Sequence, residues 1–410
     1  MKILVISNLY PPHGIGGYEE RCQYTVDTLR ARGHDVCVLT SNHQVADRDA
    51  SGEHQVIRQL QVHGFYGHPW LPIHKLYRLE QNNQQVLKST LEHFQPDLVH
   101  VWNMGGISKS LLHTLENGPR PLLYDISDHW MARSLKADVW LSWWNQPGSW
   151  ARKCFRNLAK LSGLKARLSK QVPTAPVSDL KFKQIYFCSH FMRDLSARSG
   201  YPVSHAAIIY CGVKTEAFER KLTFTAPRRF LWVGRLAEDK DPLTTIQGFI
   251  AARQQSSLPL QLDLYGRGGP AYQSELEQVI QTAGLSDAIR ISSVSHEAMR
   301  SLYAQYDAYI FSSNWGEPFA LTPLEAMASQ VPVIMCPDGG DAELLRDGDN
   351  AIGFEAGNAN SLAEGIRRLL ELPDAGKAMS ERALKQVEAE FSLEVMCNHI
   401  EEQVIQAAKN

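Results

Sequence analysis

Two carboxylates flank the predicted start of a helix within residues 312–328, and their spacing suggests a binding site. Glu317 lies in the loop before the helix and Glu325 lies on the helix, with seven residues between them. Amides at a helix start bind negative charge, so a phosphate is expected in front of Ala320, Leu321 and Thr322. A carboxylate beside a phosphate must face neutral hydrogen-bond donors such as sugar hydroxyls. The pattern predicts a nucleotide diphosphate sugar, although an ordinary turn with solvated glutamates would contain the same residues.

The start of this helix is predicted from the residues on either side of it. An apolar strand, 307–311, is followed by small polar residues and Gly316. Thr322 then offers a hydroxyl that can cap free amides, and Pro323 is tolerated in a first helical turn. We therefore expect Thr322 to cap the helix.

A pair of cations follows another predicted strand, 230–233. Arg235 can bind a phosphate through its planar guanidinium, and Lys240 adds a mobile point charge. If a diphosphate is the leaving group, both cations stabilise the charge that develops on it. Three acids lie nearby in the sequence, so an ordinary solvated turn is the alternative: Glu238, Asp239 and Asp241.

The first strand of the chain leads into a glycine-rich turn. A continuous apolar run, 3–6, is typical of a parallel strand that is buried on both faces. Gly16 and Gly17 let the backbone approach a ligand closely, and a helix and a second strand follow in the Rossmann order. The full G-x-G-x-x-G spacing is missing, which weakens a dinucleotide interpretation and leaves a turn without a ligand as the alternative.

Polar residues also gather at the end of the predicted strand within 121–130. Asp125, Asp128 and His129 lie where open α/β sheets bind their ligands, at the carboxyl ends of the strands. They are therefore candidate site residues near a reacting centre. A single histidine is more often structural, and the sequence does not decide which of the three contacts substrate.

Strands and helices alternate twice along the chain, which predicts an α/β protein with two tandem Rossmann-like, doubly wound domains. The first domain is expected at 1–213 and the second at 214–390, because the stretch 214–229 has no strong strand signal and the alternation restarts at residue 230. Residues 391–410 read as a terminal amphipathic helix. Two such domains are expected to face a cleft, where both sets of strand ends could contact one ligand.

Composition excludes several other classes of protein. The 410 residues carry a net charge of −2, which gives no case for nucleic-acid binding. The seven cysteines are scattered and lack C-x-x-C spacing, which favours a reducing cytoplasm and argues against a disulfide scaffold or a zinc site. The apolar start is interrupted by Ser7 and Asn8 and reads as a strand rather than a signal peptide. No apolar run approaches the ~18 residues of a membrane span.

An aromatic and basic segment lies within 130–185. Five of the nine tryptophans lie here, and nine lysines and arginines from residue 152 onward are opposed by Asp179 alone. Such residues hold anionic lipid headgroups in interfacial segments, stack on sugar rings, or pack a local subdomain beneath a solvated basic face. All three alternatives remain open, including peripheral membrane contact through residues 140–170.

These motifs together resemble glycosyltransferase family 4, the glycosyl transferases group 1, which are retaining enzymes of the GT-B architecture. The resemblance spans almost the whole chain and is strongest from 230 to 370. It rests on three segments: Val233-Gly234-Arg235-Leu236 with Lys240, the E-x7-E motif from Glu317 to Glu325, and Val331-Pro332-Val333-Ile334 with Gly339-Gly340 and Glu343.

The resemblance implies roles for individual residues. Arg235 and Lys240 would hold the diphosphate, Glu325 would bind the ribose hydroxyls, and Glu317 would contact the donor sugar. The remaining donor-binding positions would be Gly16, Gly17, Gly234, Gly266 and the backbone of Phe319, Ala320, Leu321 and Thr322. The terminal helix would return to the first domain. Many relatives have His-Asp where this chain has Ser127-Asp128, so the group at the reacting carbon stays open among Asp125, Asp128 and His129.

The implied reaction transfers a hexose-type sugar from a nucleotide diphosphate sugar to a glycan or lipid-linked glycan, as in polysaccharide biosynthesis. The anomeric configuration would be retained, and neither a metal nor a cofactor would be needed. A nucleotide-sugar epimerase or hydrolase of the same fold is an alternative, and so is a non-catalytic nucleotide-sugar-binding scaffold.

Overall fold

The structure, a computed structural model, describes residues 1–14, 16–49, 54–133 and 138–409. It divides into two compact units. Unit 1 consists of Met1–Ile209 and Cys397–Asn410, and unit 2 consists of Tyr210–Met396. Among the described residues, no helix is long and apolar enough to cross a membrane.

Unit 1 is built on one parallel sheet of seven strands in the order β3-β2-β1-β4-β5-β6-β7. The strands are β1 Lys2–Ile6, β2 Asp35–Ser41, β3 Val56–Leu60, β4 Leu98–Val101, β5 Leu122–Ile126, β6 Ile185–Phe187 and β7 Ala207–Ile208. Residues 3–6 of β1 are almost completely buried because β2 and β4 pair with β1 on its two sides. The strand order reverses between β1 and β4, and ligands of such sheets bind at the carboxyl ends of strands at this point.

The helices of unit 1 are α1 Gly17–Ala31, α2 Ile73–Phe94, α3 Ser110–Glu116, α4 Trp130–Arg133, α5 Val139–Asn145, α6 Trp150–Leu161, α7 Leu164–Ser169 and α8 His190–Arg198. Helix α1 buries Cys22, Val26 and Leu29, the apolar positions with helical spacing. In the terminal helix, the carboxylate of Glu401 contacts Arg32 and His34, and Asn398 also accepts a hydrogen bond from Arg32.

Unit 2 repeats the scheme with a six-stranded parallel sheet in the order β10-β9-β8-β11-β12-β13. Its strands are β8 Arg229–Val233, β9 Gln261–Tyr265, β10 Ile289–Ser292, β11 Ala308–Phe311, β12 Val333–Met335 and β13 Ile352–Gly353. Its helices are α9 Pro242–Gln255, α10 Pro270–Thr282, α11 His296–Leu302, α12 Leu321–Ala328, α13 Ala359–Leu370 and α14 Lys377–Glu390, and the last helix of the chain is α15 Leu393–Ala407. The order reverses between β8 and β11, so the loops that follow these two strands meet at one edge of the sheet.

Candidate functional site

The loop after β11 is fixed by hydrogen bonds to the loop after β8. The hydroxyl oxygen of Ser312 lies 2.8 Å from the carbonyl oxygen of Asp241 and accepts from Nε1 of Trp232 at 3.0 Å. Gly316 adopts a φ of 79°, in the region that favours glycine, and its amide donates to Asp338 at 2.6 Å. These contacts bring the two motifs that are separate in sequence to the same edge of the sheet.

Helix α12 begins at Leu321, and within the described part of the chain no side chain caps it. Ala320 is its N-cap residue, and the hydroxyl of Thr322 accepts a hydrogen bond from Tyr309 at 2.8 Å. The expectation that Thr322 caps the helix is therefore wrong, because a buried tyrosine engages its hydroxyl. The amides of Leu321 and Thr322 belong to the first turn, where N–H groups have no acceptor within the helix. They form a potential anion site.

Lys240, in the loop after β8, forms an ion pair with Glu317, in the loop after β11. The carboxylate of Glu317 also accepts from Ser313 at 2.7 Å, and the ammonium of Lys240 lies 5.4 Å from the ring centre of Trp315. The Glu317 side chain is buried and that of Lys240 is mostly covered. A cation held in this way can meet an incoming phosphate without losing much conformational entropy.

Asp341 is a buried carboxylate at this site that sequence reasoning missed. Its Oδ1 accepts from the amide of Ala320 at 2.7 Å, and its Oδ2 has no hydrogen-bond partner among the described residues. Burial raises the pKa of Asp341 well above its ordinary value, and the nearby carboxylate of Glu317 raises it further. The Ala320 amide, expected to bind phosphate, is thus already occupied. In the sequence, the one feature that could have pointed to Asp341 is its position directly after Gly339-Gly340.

Glu325 lies one helical turn into α12 and is half-buried. Its Oε2 accepts a hydrogen bond from the hydroxyl of Tyr303 at 2.8 Å, which fixes the orientation of the carboxylate. Burial and the Glu325 charge both raise the pKa of Tyr303, so this tyrosine stays a hydrogen-bond donor. A fixed, partly exposed carboxylate is suited to accept hydrogen bonds from a diol.

Arg235 has a largely exposed side chain, and its guanidinium contacts Asp239 at 2.7 Å. Exposed pairs of this kind are weak, so the guanidinium is free to exchange Asp239 for a phosphate.

Phe319 is buried against Tyr210 and Phe391, with ring centres 5.0 and 5.5 Å away. Its side chain therefore anchors the loop.

Gly234 and Gly266 allow the loops after β8 and β9 to touch. A Cβ added at Gly266 would lie 1.9 Å from the carbonyl oxygen of Gly234. A Cβ at Gly234 would lie 2.9 Å from the ring of Trp232. Both glycines are explained by close packing of backbone, whether or not a ligand also lies there.

In unit 1, Gly16 and Gly17 are exposed at the start of α1. The amide of Gly16 donates to the carboxylate of Glu19 at 2.8 Å. An acidic side chain already occupies the position where a phosphate would bind this amide. At Gly16 the structure therefore fits the alternative given above, a turn that binds no phosphate. Gly17 is exposed to solvent.

Asp125 lies inside unit 1 and is completely buried. It forms an ion pair with Arg21 and accepts from the hydroxyl of Ser127 at 2.7 Å. Asp128 is half-buried and accepts from the amide of His129 at 2.5 Å. His129 is itself buried, with its ring edge-on to Phe191 at 6.5 Å between centres. Of the three candidates from this strand end, Asp128 is the one that solvent reaches most.

An open cavity of about 390 Å³ lies in unit 1, next to the loops after β1 and β2. It is lined by His13 and by residues 44–49. The guanidinium of Arg48 donates to the carbonyl oxygens of Pro12 and Gly14, at 2.6 and 2.9 Å. Within the described ranges, no group of three or more His, Cys, Asp or Glu side chains could hold a metal ion.

Comparison with known proteins identifies matches along almost the whole chain. The model of the family "Glycosyl transferases group 1" matches residues 213–386, and that of "Glycosyltransferase Family 4" matches residues 15–217. The glycogen synthase of Mycobacterium tuberculosis is 23% identical over 412 residues, covering 95% of this chain and 91% of the relative. The lipopolysaccharide core biosynthesis mannosyltransferase LpcC of Rhizobium leguminosarum is 33% identical over 124 residues, which cover 30% of this chain and 35% of the relative.

A solved structure of HepE from Anabaena, in complex with UDP and glucose, is similar to the whole chain with a TM-score of 0.68. The two sequences are 17% identical, and the match covers 99% of this chain and 100% of that one. At this identity the likeness establishes a common fold.

Proposed function

Because the chain belongs to glycosyltransferase family 4, the glycosyl transferases group 1, and has the GT-B fold, we propose that it moves a hexose from a nucleotide diphosphate sugar to a glycan or lipid-linked glycan. The observation that carries the proposal lies within unit 2, where Lys240, Glu317 and the uncapped start of α12 meet at the edge of the sheet. The cation, the carboxylate and the amides of the first turn of α12 together suit a ligand that has both phosphates and hydroxyls.

The cations, amides and carboxylates of this site in unit 2 each have a role in the proposed reaction. Lys240 and Arg235 bind the diphosphate and stabilise the negative charge that grows on it as the glycosidic bond breaks. The amides of Leu321 and Thr322 add hydrogen bonds to the same phosphate. Glu325 accepts hydrogen bonds from the ribose hydroxyls, and Glu317 from the hydroxyls of the sugar. Two cations can balance the diphosphate charge, which supports a reaction that does not depend on a metal.

The proposed mechanism retains the anomeric configuration by attack on the same face that the diphosphate leaves. The acceptor hydroxyl forms the new glycosidic bond, the bond to the phosphate oxygen breaks, and the acceptor proton passes to the leaving phosphate. No side chain is assigned as a covalent nucleophile. The acceptor is assigned to unit 1, where Asp128 and the cavity beside His13 offer polar groups at the ends of strands.

Relatives guide the choice of ligands. One relative is named a glycogen synthase and another a lipopolysaccharide core mannosyltransferase, so we propose a carbohydrate acceptor that is free or carried on a lipid. HepE was solved with UDP and glucose, which makes UDP-glucose the first donor to test.

The test is consumption of UDP-, GDP- and ADP-sugars in the presence of EDTA, with and without oligosaccharide and lipid-linked glycan acceptors. Transfer predicts that one donor is consumed only when an acceptor is present. Consumption without any acceptor would indicate a hydrolase or an epimerase instead. Binding of a donor without turnover for every acceptor would favour the scaffold alternative.

A further inference from the structure

Helix α6 has its apolar residues on the side that faces away from the protein. Trp150, Leu158 and Leu161 are 80%, 66% and 85% exposed, and Phe155 is 47% exposed. At about 100° per residue, these four side chains lie on one face of the helix. The buried residue of α6 is Ala159, outside that arc. A surface helix normally turns its apolar face toward the core, so the orientation of α6 requires another explanation.

The polar side of the same segment is strongly basic. No acid occurs from residue 139 to residue 178, while seven lysines and arginines lie between 150 and 170. They are Arg152, Lys153, Arg156, Lys160, Lys165, Arg167 and Lys170. In the part of the chain that the structure describes, none of these seven forms an ion pair. Lys153 and Lys160 are exposed and lie beside the apolar face, on the flank next to Trp150.

Helix α6 contacts the rest of unit 1 through Trp143 of α5, whose ring also lies 5.4 Å from that of Phe155. Ser149 caps the first turn of α6, and the guanidinium of Arg156 lies 5.7 Å from the ring centre of Trp143. Below these residues, Nε1 of Trp140 donates to the carbonyl oxygen of Pro173 at 2.8 Å. The segment thus contains two kinds of tryptophan, since Trp140 packs the interior while Trp150 points into solvent.

We propose that α6 binds the surface of a lipid bilayer that contains anionic lipids. In this binding mode the four exposed apolar side chains enter the boundary between headgroups and acyl chains, and Lys153 and Lys160 contact lipid phosphates. A tryptophan at the end of such a helix suits this boundary because its ring is apolar and its N–H is polar. The inference is independent of the proposed sugar transfer.

Two other occupants fit the surface less well. A second copy of the same helix would bring like charges together, because the flank of the apolar face is basic and has no acids. A soluble sugar could stack on Trp150 but would leave the aliphatic side chains of Leu158 and Leu161 uncovered. An anionic bilayer supplies both the apolar phase and the negative charge.

The test is sedimentation of the full chain with phosphatidylcholine vesicles, prepared with and without phosphatidylglycerol. The wild type is expected to bind the anionic vesicles, and Leu158→Ser/Leu161→Ser to lower its partition coefficient more than about tenfold. Lys153→Gln/Lys160→Gln is expected to lower it by about tenfold and to reduce its dependence on salt. The matched controls are Leu222→Ser, at a leucine that is 88% exposed in unit 2, and Lys385→Gln on α14.

Three results would overturn the inference. The first is equal binding of the wild type and both double variants. The second is no vesicle binding by a folded wild type. The third is a wild-type dimer that Leu158→Ser/Leu161→Ser dissociates, which would assign the face to a second copy. Trp150→Ala provides an independent variant, and circular dichroism verifies folding. Nucleotide-induced thermal shifts are expected to be the same in all these variants, so failure here is distinguishable from failure of the proposed reaction.

Discussion

Lys240 and Glu317 form an ion pair across 77 positions of the chain. The lysine follows β8 and the glutamate follows β11, the two neighbouring strands at which the order of the sheet reverses. The pair connects the cation proposed for the diphosphate with the carboxylate proposed for the sugar. Each side chain is therefore partly neutralised and fixed in position before a donor arrives.

Removing the charge of Lys240 tests this relationship. Lys240→Ala is expected to lower kcat/KM by about 100- to 1,000-fold, because a cation at a developing diphosphate charge is lost. It also leaves the Glu317 carboxylate buried without its counter-ion, so the free energy of unfolding is expected to fall by about 1–3 kcal/mol. Steady-state kinetics and urea denaturation measure the two effects. Lys385→Ala, on an exposed surface, is the control, and unchanged kcat/KM in Lys240→Ala would contradict the assigned role.

The buried acid Asp341 predicts a pH dependence of stability. Its pKa is raised above the ordinary 3.8, so the folded state holds this proton more tightly than the unfolded chain does. That stabilisation is fully present below pH 3.8 and is lost as pH rises toward the raised pKa. Asp341→Asn keeps an oxygen for the Ala320 amide but does not ionise.

Urea denaturation of wild type and Asp341→Asn between about pH 5 and pH 8 measures this effect. The stability of the variant relative to wild type is expected to increase with pH. The prediction fails if the unfolding free energies of the two proteins depend on pH in the same way. It also fails if the wild type becomes more stable relative to the variant as pH rises, because Asp341 would then have no raised pKa.

The loops after β8 and β9 are in contact, so alanine substitutions at two glycines that lie three positions apart are expected to destabilise the protein to different extents. Gly266→Ala is expected to cost more than about 2 kcal/mol of unfolding free energy, because its Cβ would overlap the carbonyl oxygen of Gly234. Gly269 has no atom within 4 Å of an added Cβ, and Gly269→Ala is expected to change stability by less than about 1 kcal/mol. Thermal unfolding of the two variants would contradict this packing if their stabilities were equal.

Substitutions of the two aspartates near the end of β5 are also expected to lower the free energy of unfolding by different amounts. Asp125→Asn leaves the buried guanidinium of Arg21 without its counter-ion, which costs about 3–5 kcal/mol. Asp128→Asn changes a half-buried side chain and is expected to cost less than about 1 kcal/mol. A stable Asp125→Asn protein with wild-type unfolding would refute the structural role of this ion pair.

The family and the fold predicted from the sequence are confirmed, because both depend on local patterns. Continuous apolar runs predicted buried parallel strands, and these strands occur in both sheets. The start of α12 was also predicted close to its observed place, since Gly316 and Pro323 constrain the backbone locally. Strand β13 was missed because two residues carry too little periodicity to be recognised.

The partners of the site residues were less predictable, because they depend on contacts that are distant in sequence. Asp125 was predicted near the reacting centre from its place at a strand end, but its ion-pair partner Arg21 lies 104 positions earlier and could not be predicted. Thr322 looked like a helix cap, but Tyr309 binds its hydroxyl. The aromatic and basic composition of residues 140–170 left membrane contact, sugar stacking and local packing open, because the direction of the apolar face of α6 depends on how this helix packs.

Calorimetry of nucleotide binding tests the donor site that is proposed in unit 2. Binding of UDP, GDP and ADP is measured in EDTA by isothermal titration for the wild type, Lys240→Ala, Glu325→Gln and the control Lys385→Ala. We expect one nucleotide to bind the wild type and the control equally, and to bind each of the other two variants at least about tenfold more weakly. Equal affinity in all four proteins, or no binding of any nucleotide to the folded wild type, would show that Lys240 and Glu325 do not form a donor site.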